Sequence, residues 1–276
     1  MRMMNGVGFI GVGNMASAIA KAVRASKPEQ ALYLYNRTPE RIYELSQALN
    51  AFQVERERLD VDLLARCEYI FVGVKPYGMK SLFEEELAPY LSEDEPKVWI
   101  SMAVGYPLKD LKTLTPASHR WIRIMPNTPV EFGEGYVSYC YDPAIEASKV
   151  GYVEALLQEA GRLQYYDESQ FDAAGAVAGS GPAFIYQVIE ALSDAAVSHG
   201  IPRQEALEMA AQTVVGAGQM VLASGENPGA LKDRVTSPGG TTIAGVKALE
   251  ANGLRHAMIS AVDATYQRSV DLSDQA

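Results

Sequence analysis

The amino-acid sequence predicts an α/β domain with a mostly parallel sheet, followed by an all-α domain. In the first part of the chain, short β-rich runs alternate with helical patterns, which is typical of β–α–β units. From Phe171 onward no convincing strand pattern occurs, and alanine-rich helical patterns follow one another. We therefore predict one domain over residues 1–166 and a second over residues 167–276, joined without a glycine- and serine-rich linker.

Short apolar runs predict the strands of the first domain. These runs are continuous rather than alternating, as expected of strands that are covered on both faces. The predicted strands are Val7–Ile10, Ala31–Tyr35, Tyr69–Val74, Val98–Ser101, Trp121–Ile124 and, with a weaker pattern, Gly135–Tyr139. Helices are predicted over Met15–Ala25 and from Pro39 to about Asn50, with Thr38 as the N-cap of the second helix.

Glycine and proline divide the second domain into helices. The predicted helices are Phe171–His199, Pro202–Ala223 and Thr241–Arg268. The middle helix is apolar on more than one face, so one small domain could not bury all of its apolar side chains. We therefore expect these helices to associate with a second copy of the chain.

Composition limits the classes of partner and cofactor. The chain has 276 residues and a formal net charge of -10, so it repels nucleic-acid phosphates on average and no nucleic-acid partner is expected. No apolar run approaches the roughly 20 residues of a membrane span. The two cysteines, Cys67 and Cys140, are too few for a disulfide framework, and no Cys/His cluster has metal-ligand spacing. We expect a cytoplasmic protein with no bound metal and no membrane attachment.

A glycine motif near the start of the chain predicts a dinucleotide site. The run Gly11-Val12-Gly13-Asn14-Met15-Ala16 follows a predicted strand and opens a predicted helix. Gly11 permits the tight turn, Gly13 lets the backbone approach a pyrophosphate, and Ala16 lets the helix pack closely on the strand. Amides at the helix start, including those of Asn14 and Met15, would bind the phosphates. The motif predicts a Rossmann domain; the alternatives are a tight turn without a ligand or a site for another nucleotide.

The end of the second predicted strand indicates which dinucleotide is bound. In NAD-binding proteins an acidic residue at this place accepts from the ribose 2′-hydroxyl. This chain has Asn36-Arg37-Thr38, which offers an amide, a guanidinium and a hydroxyl but no carboxylate. These groups can donate to a 2′-phosphate, so we predict NADPH, with NADH as a weaker substitute. The alternative is that Thr38 is only a helix cap and Arg37 a solvated charge.

Two further loops follow predicted strands and should line the same crevice. Val74-Lys75-Pro76 ends one strand and places Lys75 at the crevice. Met125-Pro126-Asn127-Thr128-Pro129 ends another, where two prolines stiffen the turn and hold the Asn127 amide. Each loop could also be a plain turn.

The segment from Leu231 to Thr242 is unusual for an interhelical connection. Ser237 is a predicted N-cap and Pro238 a predicted first helical residue, which places Gly239 and Gly240 in the first turn. Two glycines there destabilise a helix unless a ligand must approach its backbone. The amides and the helix dipole would suit a small carboxylate. The alternative is a flexible turn between helices.

The motifs together resemble those of the Δ1-pyrroline-5-carboxylate reductase family. The run Thr236-Ser237-Pro238-Gly239-Gly240-Thr241-Thr242 resembles that family's signature and is its most specific part. The glycine motif, Val74-Lys75-Pro76, the proline turn around Asn127 and Gly179-Ser180-Gly181-Pro182-Ala183 occur in family-like order. The resemblance therefore extends over nearly the whole chain.

The resemblance implies an N-terminal Rossmann domain and a C-terminal helical dimerisation domain. It also implies that the protein reduces the cyclic imine Δ1-pyrroline-5-carboxylate to L-proline with NAD(P)H. It implies that the nicotinamide meets the imine between the Rossmann crevice and the helical domain, and that the signature helps to form the substrate pocket at the subunit interface. It also implies a homodimer, or a ring built of such dimers. The expected carboxylate-binding residues are Ser237, Gly239, Gly240, Thr241 and Thr242. The hydroxyl of Thr242 is expected near the imine nitrogen.

Three other functions compete with this interpretation. One is a related Rossmann-type imine reductase, and another is a β-hydroxyacid dehydrogenase, which takes a hydroxyl proton with a lysine on the first interdomain helix. The corresponding stretch from Gly179 to Gln187 contains no lysine, which argues against alcohol oxidation. The third is a non-catalytic NADP-binding scaffold, against which the segment from Ser237 to Thr242 argues, because a scaffold needs no carboxylate site.

Overall fold

A computed structural model describes residues 6–273, and within that range eight strands form one sheet. The strand order is β3-β2-β1-β4-β5-β6-β7-β8. Neighbouring strands from β3 to β6 pair in parallel, β7 runs antiparallel to β6, and β8 runs parallel to β7. The strands are β1 (Gly6–Ile10), β2 (Ala31–Tyr35), β3 (Phe52–Gln53), β4 (Cys67–Val72), β5 (Val98–Ser101), β6 (Arg120–Met125), β7 (Gly135–Tyr141) and β8 (Gly161–Tyr165).

This order contains the 3-2-1-4-5-6 arrangement of a doubly wound dinucleotide-binding sheet. The prediction of a mostly parallel Rossmann sheet is therefore confirmed. β3 and β8 were not predicted: β3 has two exposed residues, and β8 is only partly buried, so neither forms an apolar run. The strand predicted over Tyr69–Val74 lies two residues earlier, because Gly73 and Val74 belong to the loop beyond the sheet.

Successive side chains of each strand point to opposite faces of the sheet and build two cores. Val7 and Phe9 pack with helix α1 (Asn14–Ser26) and helix α5 (Ala147–Leu156) on one face. Ile10, Trp99 and Trp121 pack on the other face. That second face is covered by α3 (Pro76–Ser81), α4 (Leu108–Leu111) and α6 (Glu168–Ala178), while α2 (Tyr43–Ala48) follows β2.

The chain divides into two compact units. Among the described residues, one contains 6–180 together with 265–273, and the other is Gly181–Ala264, here called the helical unit. Helix α6 belongs to the first unit, because Phe171 is buried in its core and the Asp172 carboxylate accepts from Ser269 Oγ at 2.8 Å. The domain boundary near residue 166 stays a prediction, and the outer ends of both predicted domains, residues 1–5 and 274–276, lie outside the described range.

The helical unit contains helices and no strand among its described residues. Its helices are α7 (Gly181–Ser198), α8 (Arg203–Ser224), α9 (Pro228–Arg234), α10 (Thr241–Ala251) and the first part of α11 (Leu254–Ser273). Two predicted helices are each split in the structure. The first breaks after α6, where Pro182 lies in the opening turn of α7, and the second breaks at Gly253, whose φ of 75° is left-handed.

Large apolar side chains of the helical unit are exposed in the single chain. They include Tyr186, Leu192, Met209, Val215, Met220, Leu222, Leu249 and Ile259. An apolar surface of this extent marks a protein-interaction site. Within the described range no helix combines the length and apolarity that crossing a membrane requires.

Candidate dinucleotide and substrate sites

A crevice of about 1420 Å³ opens where β1, β4 and β5 end. Its walls come from the start of α1, from the loop between β4 and α3, and from the loop after β5. Parallel α/β sheets bind their ligands at this edge, beside the point where the strand order reverses. The predicted site residues that line the crevice are Gly13, Asn14, Met15, Ala16, Val74, Lys75 and Pro76.

Gly11 lies behind the crevice and makes the turn from β1 into α1. Its φ is 78°, and a Cβ there would lie 2.5 Å from Val74 Cγ1 and 2.9 Å from the Val74 backbone nitrogen. A side chain is therefore excluded by both conformation and contact. A glycine at this position brings the loops after β1 and β4 together.

Gly13 is the N-cap of α1 and has an ordinary φ of -88°. A Cβ on Gly13 would meet no atom within 4 Å, so sterics within the protein do not require glycine there. No side chain caps the helix, and the first amides of a helix have no intrahelical acceptor. The helix start therefore presents donors and a positive dipole to open space, which fits a pyrophosphate.

The opposite wall of the crevice packs tightly on α1. A Cβ on Gly73 would lie 2.6 Å from the Gly11 carbonyl oxygen and 2.7 Å from Ala16 Cβ. Small residues at these positions let the helix start lie close to the end of β4. This is the packing role predicted for Ala16.

Lysines give the crevice a positive character. Lys75 and Lys80 line it from the β4–α3 side. Lys21 lines it from α1 and pairs with Glu131 at 3.1 Å, both side chains being about half exposed. Burial raises the pKa of Tyr106, another lining residue, so that phenol stays protonated at neutral pH.

Asn36, Arg37 and Thr38 follow β2 and are not among the residues that line the crevice. Asn36 Nδ2 donates to the Thr38 carbonyl at 3.2 Å. Thr38 precedes a 3-10 turn, Pro39–Ile42, as predicted for a cap, but its side chain makes no capping hydrogen bond. Arg37 is held in place, because its Nε and Nη2 donate to Glu86 Oε1 at 2.9 and 2.6 Å. Their role toward a cofactor stays a prediction.

Asn127 is buried and has partners at both ends of its amide. Its Nδ2 donates to the Ala178 carbonyl at 3.0 Å, and its Oδ1 accepts from the Tyr136 backbone N–H at 2.8 Å. The side chain thus ties the end of β6 to β7 and to the end of α6. Its neighbour Thr128, rather than Asn127, lines the crevice. The predicted contact of Asn127 with a cofactor is untested, and the structure gives this amide a packing role.

The signature segment forms a turn before α10 rather than its first helical turn. The predictions of Ser237 as N-cap and Pro238 as the first helical residue are wrong: Gly240 is the N-cap, and the helix begins at Thr241. Gly239 has a φ of 69°, which a helix does not accept, and the Gly240 N–H donates to the Ser237 carbonyl at 3.0 Å. In the four-residue turn Ser237–Gly240, proline occupies the second position and a left-handed glycine the third, which is the pattern of a type II turn.

The five predicted substrate residues lie together at this helix start. Ser237, Gly239, Thr241 and Thr242 are exposed in the single chain, and no side chain caps the helix. A Cβ on Gly240 would meet Ser237 Oγ and would lie 3.2 Å from the Ser237 carbonyl oxygen, so a side chain there would force the Ser237 hydroxyl to rotate away. The first amides of α10 thus point away from the helix beside two threonine hydroxyls, an arrangement that can hold a carboxylate.

Other titratable groups have structural partners. His119 Nδ1 accepts from Trp99 Nε1 at 2.9 Å, its Nε2 lies 3.1 Å from the Ser92 carbonyl, and burial lowers its pKa. Burial raises the pKa of both cysteine thiols, that of Cys140 to about 12, so neither is a ready nucleophile. Among residues 6–273 no group of His, Cys, Asp and Glu has the arrangement of a metal site.

The crevice also contains residues that sequence reasoning missed. Met102 and Val104 directly follow β5, so the rule that ligands bind at strand ends could have found them. Leu272 comes from the far end of the chain and carries no such signal. The missed lining residues are Ser17, Ala18, Lys21, Gly73, Tyr77, Lys80, Met102, Val104, Tyr106, Glu131 and Leu272, whereas Thr128 belongs to a loop that was predicted to line the crevice.

The sheet order, the glycine turn and the crevice define a dinucleotide-binding protein of the Rossmann class. Residues 6–105 match the family of coenzyme F420-dependent NADP oxidoreductases, and residues 168–272 match the pyrroline-5-carboxylate reductase dimerisation domain. A pyrroline-5-carboxylate reductase is 39% identical to this chain over 97% of its length, so the chain belongs to the pyrroline-5-carboxylate reductase family.

Relatives of known name cover both parts of the chain. A pyrroline-5-carboxylate reductase of Pisum sativum is 39% identical over 270 residues, which is 97% of this chain and 96% of the relative. The enzyme of Escherichia coli is 35% identical over 97% of this chain and 98% of its own. A crystal structure of the Plasmodium falciparum enzyme with NADP bound has a TM-score of 0.86 at 29% identity, covering 98% of this chain and 99% of that one.

Proposed function

We propose that this protein reduces Δ1-pyrroline-5-carboxylate to L-proline, with NADPH as the preferred hydride donor and NADH as a weaker one. The observation that carries the proposal is the similarity to pyrroline-5-carboxylate reductases over 97% of the chain, which includes both the crevice and the signature turn. A Rossmann domain alone would not specify a substrate, because this fold supports many reactions.

The crevice fits a dinucleotide by its own geometry. The space beside Gly13 is open, the amides of Asn14 and Met15 start an uncapped helix, and Lys75 adds a positive charge on the facing wall. These groups would hold the pyrophosphate. When bound, the reduced nicotinamide supplies the hydride that the C=N carbon accepts.

The signature turn would orient the substrate. The first amides of α10 and the hydroxyls of Ser237 and Thr241 would bind the substrate carboxylate, with Gly239 and Gly240 shaping the turn that presents them. A carboxylate held by several donors fixes the ring to which it is attached. Most of the rate can then come from holding the reacting carbons in contact.

Reduction of an imine also needs one proton, and Thr242 is the residue we assign to it. Its hydroxyl would lie beside the imine nitrogen, where it either donates a proton or orients an imine that arrives protonated. A protonated imine is already a good electrophile, so the reaction requires no nucleophilic side chain. The structural partners of His119 and the buried state of both cysteines are consistent with this simple chemistry.

We propose that the working form is a homodimer formed through the helical unit, or a ring built of such dimers. The exposed apolar side chains of α8, including Met209, Val215, Met220 and Leu222, support this association. The match to a dimerisation family over residues 168–272 supports it independently. We place the protein in the cytoplasm, because both of its cysteines are free thiols buried in the core.

A β-hydroxyacid dehydrogenase would need a base to take a hydroxyl proton. Helix α7, the first of the helical unit, contains no lysine along Gly181–Ser198. A non-catalytic scaffold would not need the turn that Ser237–Gly240 forms before an uncapped helix. Neither alternative accounts for both observations.

The decisive experiment is to follow NADPH oxidation by the purified protein with Δ1-pyrroline-5-carboxylate and to identify proline as the product. The same assay with NADH gives the cofactor preference, and a β-hydroxyacid with NADP+ tests the alternative. Proline formation that depends on enzyme and cofactor would support the proposal. Oxidation of the hydroxyacid without imine reduction would overturn it.

A further inference from the structure

A buried carboxylate lies beyond the end of β2, outside the crevice described above. Glu86 belongs to the one-turn π-helical segment Leu82–Leu87, and its side chain is only 2% exposed. A buried charge is costly unless it is paired and hydrogen-bonded. The hydrogen-bond and ion-pair partners of Glu86 therefore indicate the role of this buried carboxylate.

Three side chains from two other segments converge on this carboxylate. Tyr35, the last residue of β2, donates from its hydroxyl to Glu86 Oε2 at 2.9 Å. Arg37 donates to Oε1 with both Nε and Nη2, and Arg56 Nε lies 3.8 Å from Oε2. Burial and the Glu86 contact raise the pKa of Tyr35 to about 12, so that phenol remains a donor at neutral pH.

The two arginines differ from Glu86 in exposure. Their side chains are 62% and 67% exposed, so both guanidinium groups reach solvent while one edge of each faces the buried carboxylate. In Arg37 the donors Nε and Nη2 face Glu86, so Nη1 is directed away from it. Two positive charges against one negative leave this cluster with a net charge of about +1.

The cluster occupies the place where dinucleotide-binding folds recognise the adenosine ribose. In these folds residues just after the second strand bind the 2′-hydroxyl or 2′-phosphate of the adenosine ribose, and an arginine there accommodates a 2′-phosphate. Arg37 stands two residues beyond the end of β2, and Arg56 shares its carboxylate partner. Planar guanidinium groups suit a phosphate because they can donate two hydrogen bonds in parallel.

We propose that Glu86 is a positioning residue that holds Arg37 and Arg56 beside the 2′-phosphate of NADPH. This inference rests on the proposed use of NADPH. Arginine side chains lose conformational freedom when they bind, and a partner that orders them beforehand reduces that loss. Glu86 thus favours binding through geometry although its own charge repels a phosphate.

These two effects have opposite signs, which makes Glu86→Gln an informative variant. The amide keeps the size of the side chain and removes its charge. If positioning dominates, calorimetric titration should show the ratio of the Kd for NADP+ to the Kd for NAD+ rising about tenfold, the scale of one charge-assisted hydrogen bond. If Glu86 acts only as a repelling charge, the ratio should stay constant or fall, which would overturn the proposal.

Glu85 provides a matched control for the loss of charge. It is the adjacent residue, it is exposed, and it accepts from Ser81 Oγ at 3.0 Å. Glu85→Gln removes the same charge from the same segment, and the Kd ratio should stay within about twofold of the parent value. An equal rise in both variants would assign the effect to a general disturbance of this segment and contradict a specific positioning role for Glu86.

Arg56→Gln tests the second arginine without disturbing the core, because that side chain is mostly exposed. We expect the Kd ratio to rise about tenfold here as well, since one donor to the phosphate is lost. An unchanged ratio would remove Arg56 from the proposal. This variant also keeps the test valid if thermal melting shows that Glu86→Gln is poorly folded.

Steady-state kinetics separates this inference from the function on which it rests. With Δ1-pyrroline-5-carboxylate as substrate, Glu86→Gln should raise KM for NADPH and change kcat little. If the parent protein shows no imine reduction, the proposed function fails whatever the binding ratios are. If the parent is active and its Kd ratio does not respond to Glu86→Gln, only the positioning role fails.

Discussion

The two glycines of the dinucleotide turn should fail in different ways when each is replaced by alanine. In Gly11→Ala the new Cβ meets Val74 Cγ1 at 2.5 Å, on a backbone whose φ is 78°. In Gly13→Ala the φ is -88° and the new Cβ meets nothing within 4 Å. We therefore expect Gly11→Ala to lose stability and Gly13→Ala to lose binding.

The magnitude for Gly11→Ala follows from its two penalties. The left-handed conformation costs a non-glycine residue about 1–2 kcal/mol, and the overpacked contact costs about 1–3 kcal/mol. The lower entropy of the unfolded chain offsets about 0.4–1 kcal/mol. The net loss of about 1–4.6 kcal/mol should lower Tm by about 2 to 18 °C.

For Gly13→Ala we expect a Tm within a few degrees of the parent value, because the lower entropy of the unfolded chain is offset by the weaker N-cap preference of alanine. Its methyl group projects into the space where the pyrophosphate would lie, so the Kd for NADP+ should rise by at least about tenfold, or roughly 1.4 kcal/mol. Thermal melting without cofactor and calorimetric titration with NADP+ measure the two effects separately. Parent-like binding by a folded Gly13→Ala protein would refute this assignment of the phosphate site.

Three other predictions concern the substrate site, the histidine in the core and the assembly. Thr242→Ala should lower kcat by roughly 10- to 100-fold, increasingly as pH rises and the free imine loses its proton, whereas Thr242→Ser should retain most activity. Equal impairment of both variants in steady-state assays would assign the effect to the methyl group instead. Burial lowers the pKa of His119, so just below pH 6.5, the ordinary pKa of a histidine, the unfolded chain binds more protons than the folded chain. Melting curves should therefore show the stability falling as pH drops through 6.5. His119→Gln should make the stability less dependent on pH in this range. Sedimentation at micromolar concentration should show a dimer, and a stable, active monomer would contradict the use of the exposed α8 surface.

Local patterns determined most of the fold. A run of apolar residues long enough to cross a parallel sheet is visible in the sequence, which is why Ala31–Tyr35 and Val98–Ser101 were predicted with the bounds that the structure has. The left-handed backbone of Gly11 is also local in origin, because it makes the turn between a strand and a helix, although its contact with Val74 is decided by the fold. These features depend on neighbours in the chain, so their signal lies in consecutive residues.

The boundaries of helices were less predictable, because they depend on single dihedral angles. The pattern of Ser237 followed by Pro238 fits the start of a helix and also fits a type II turn. The left-handed Gly239 decides for the turn, and α10 begins only at Thr241. Helical periodicity likewise continues through Gly253, although its backbone ends one helix before the next begins.

The sequence by itself determined the class of fold, the position of the phosphate-binding turn and the family signature, since each is carried by short runs of residues. Only the tertiary structure decided which polar groups meet across the sheet. In the folded chain the side-chain amide of Asn127 forms hydrogen bonds with the backbone of Tyr136 and Ala178, and Arg37 forms hydrogen bonds with Glu86, 49 residues away. Side chains so far apart in the chain meet only because folding stacks their strands and helices, and a buried polar group must find its partner among whatever that packing brings near.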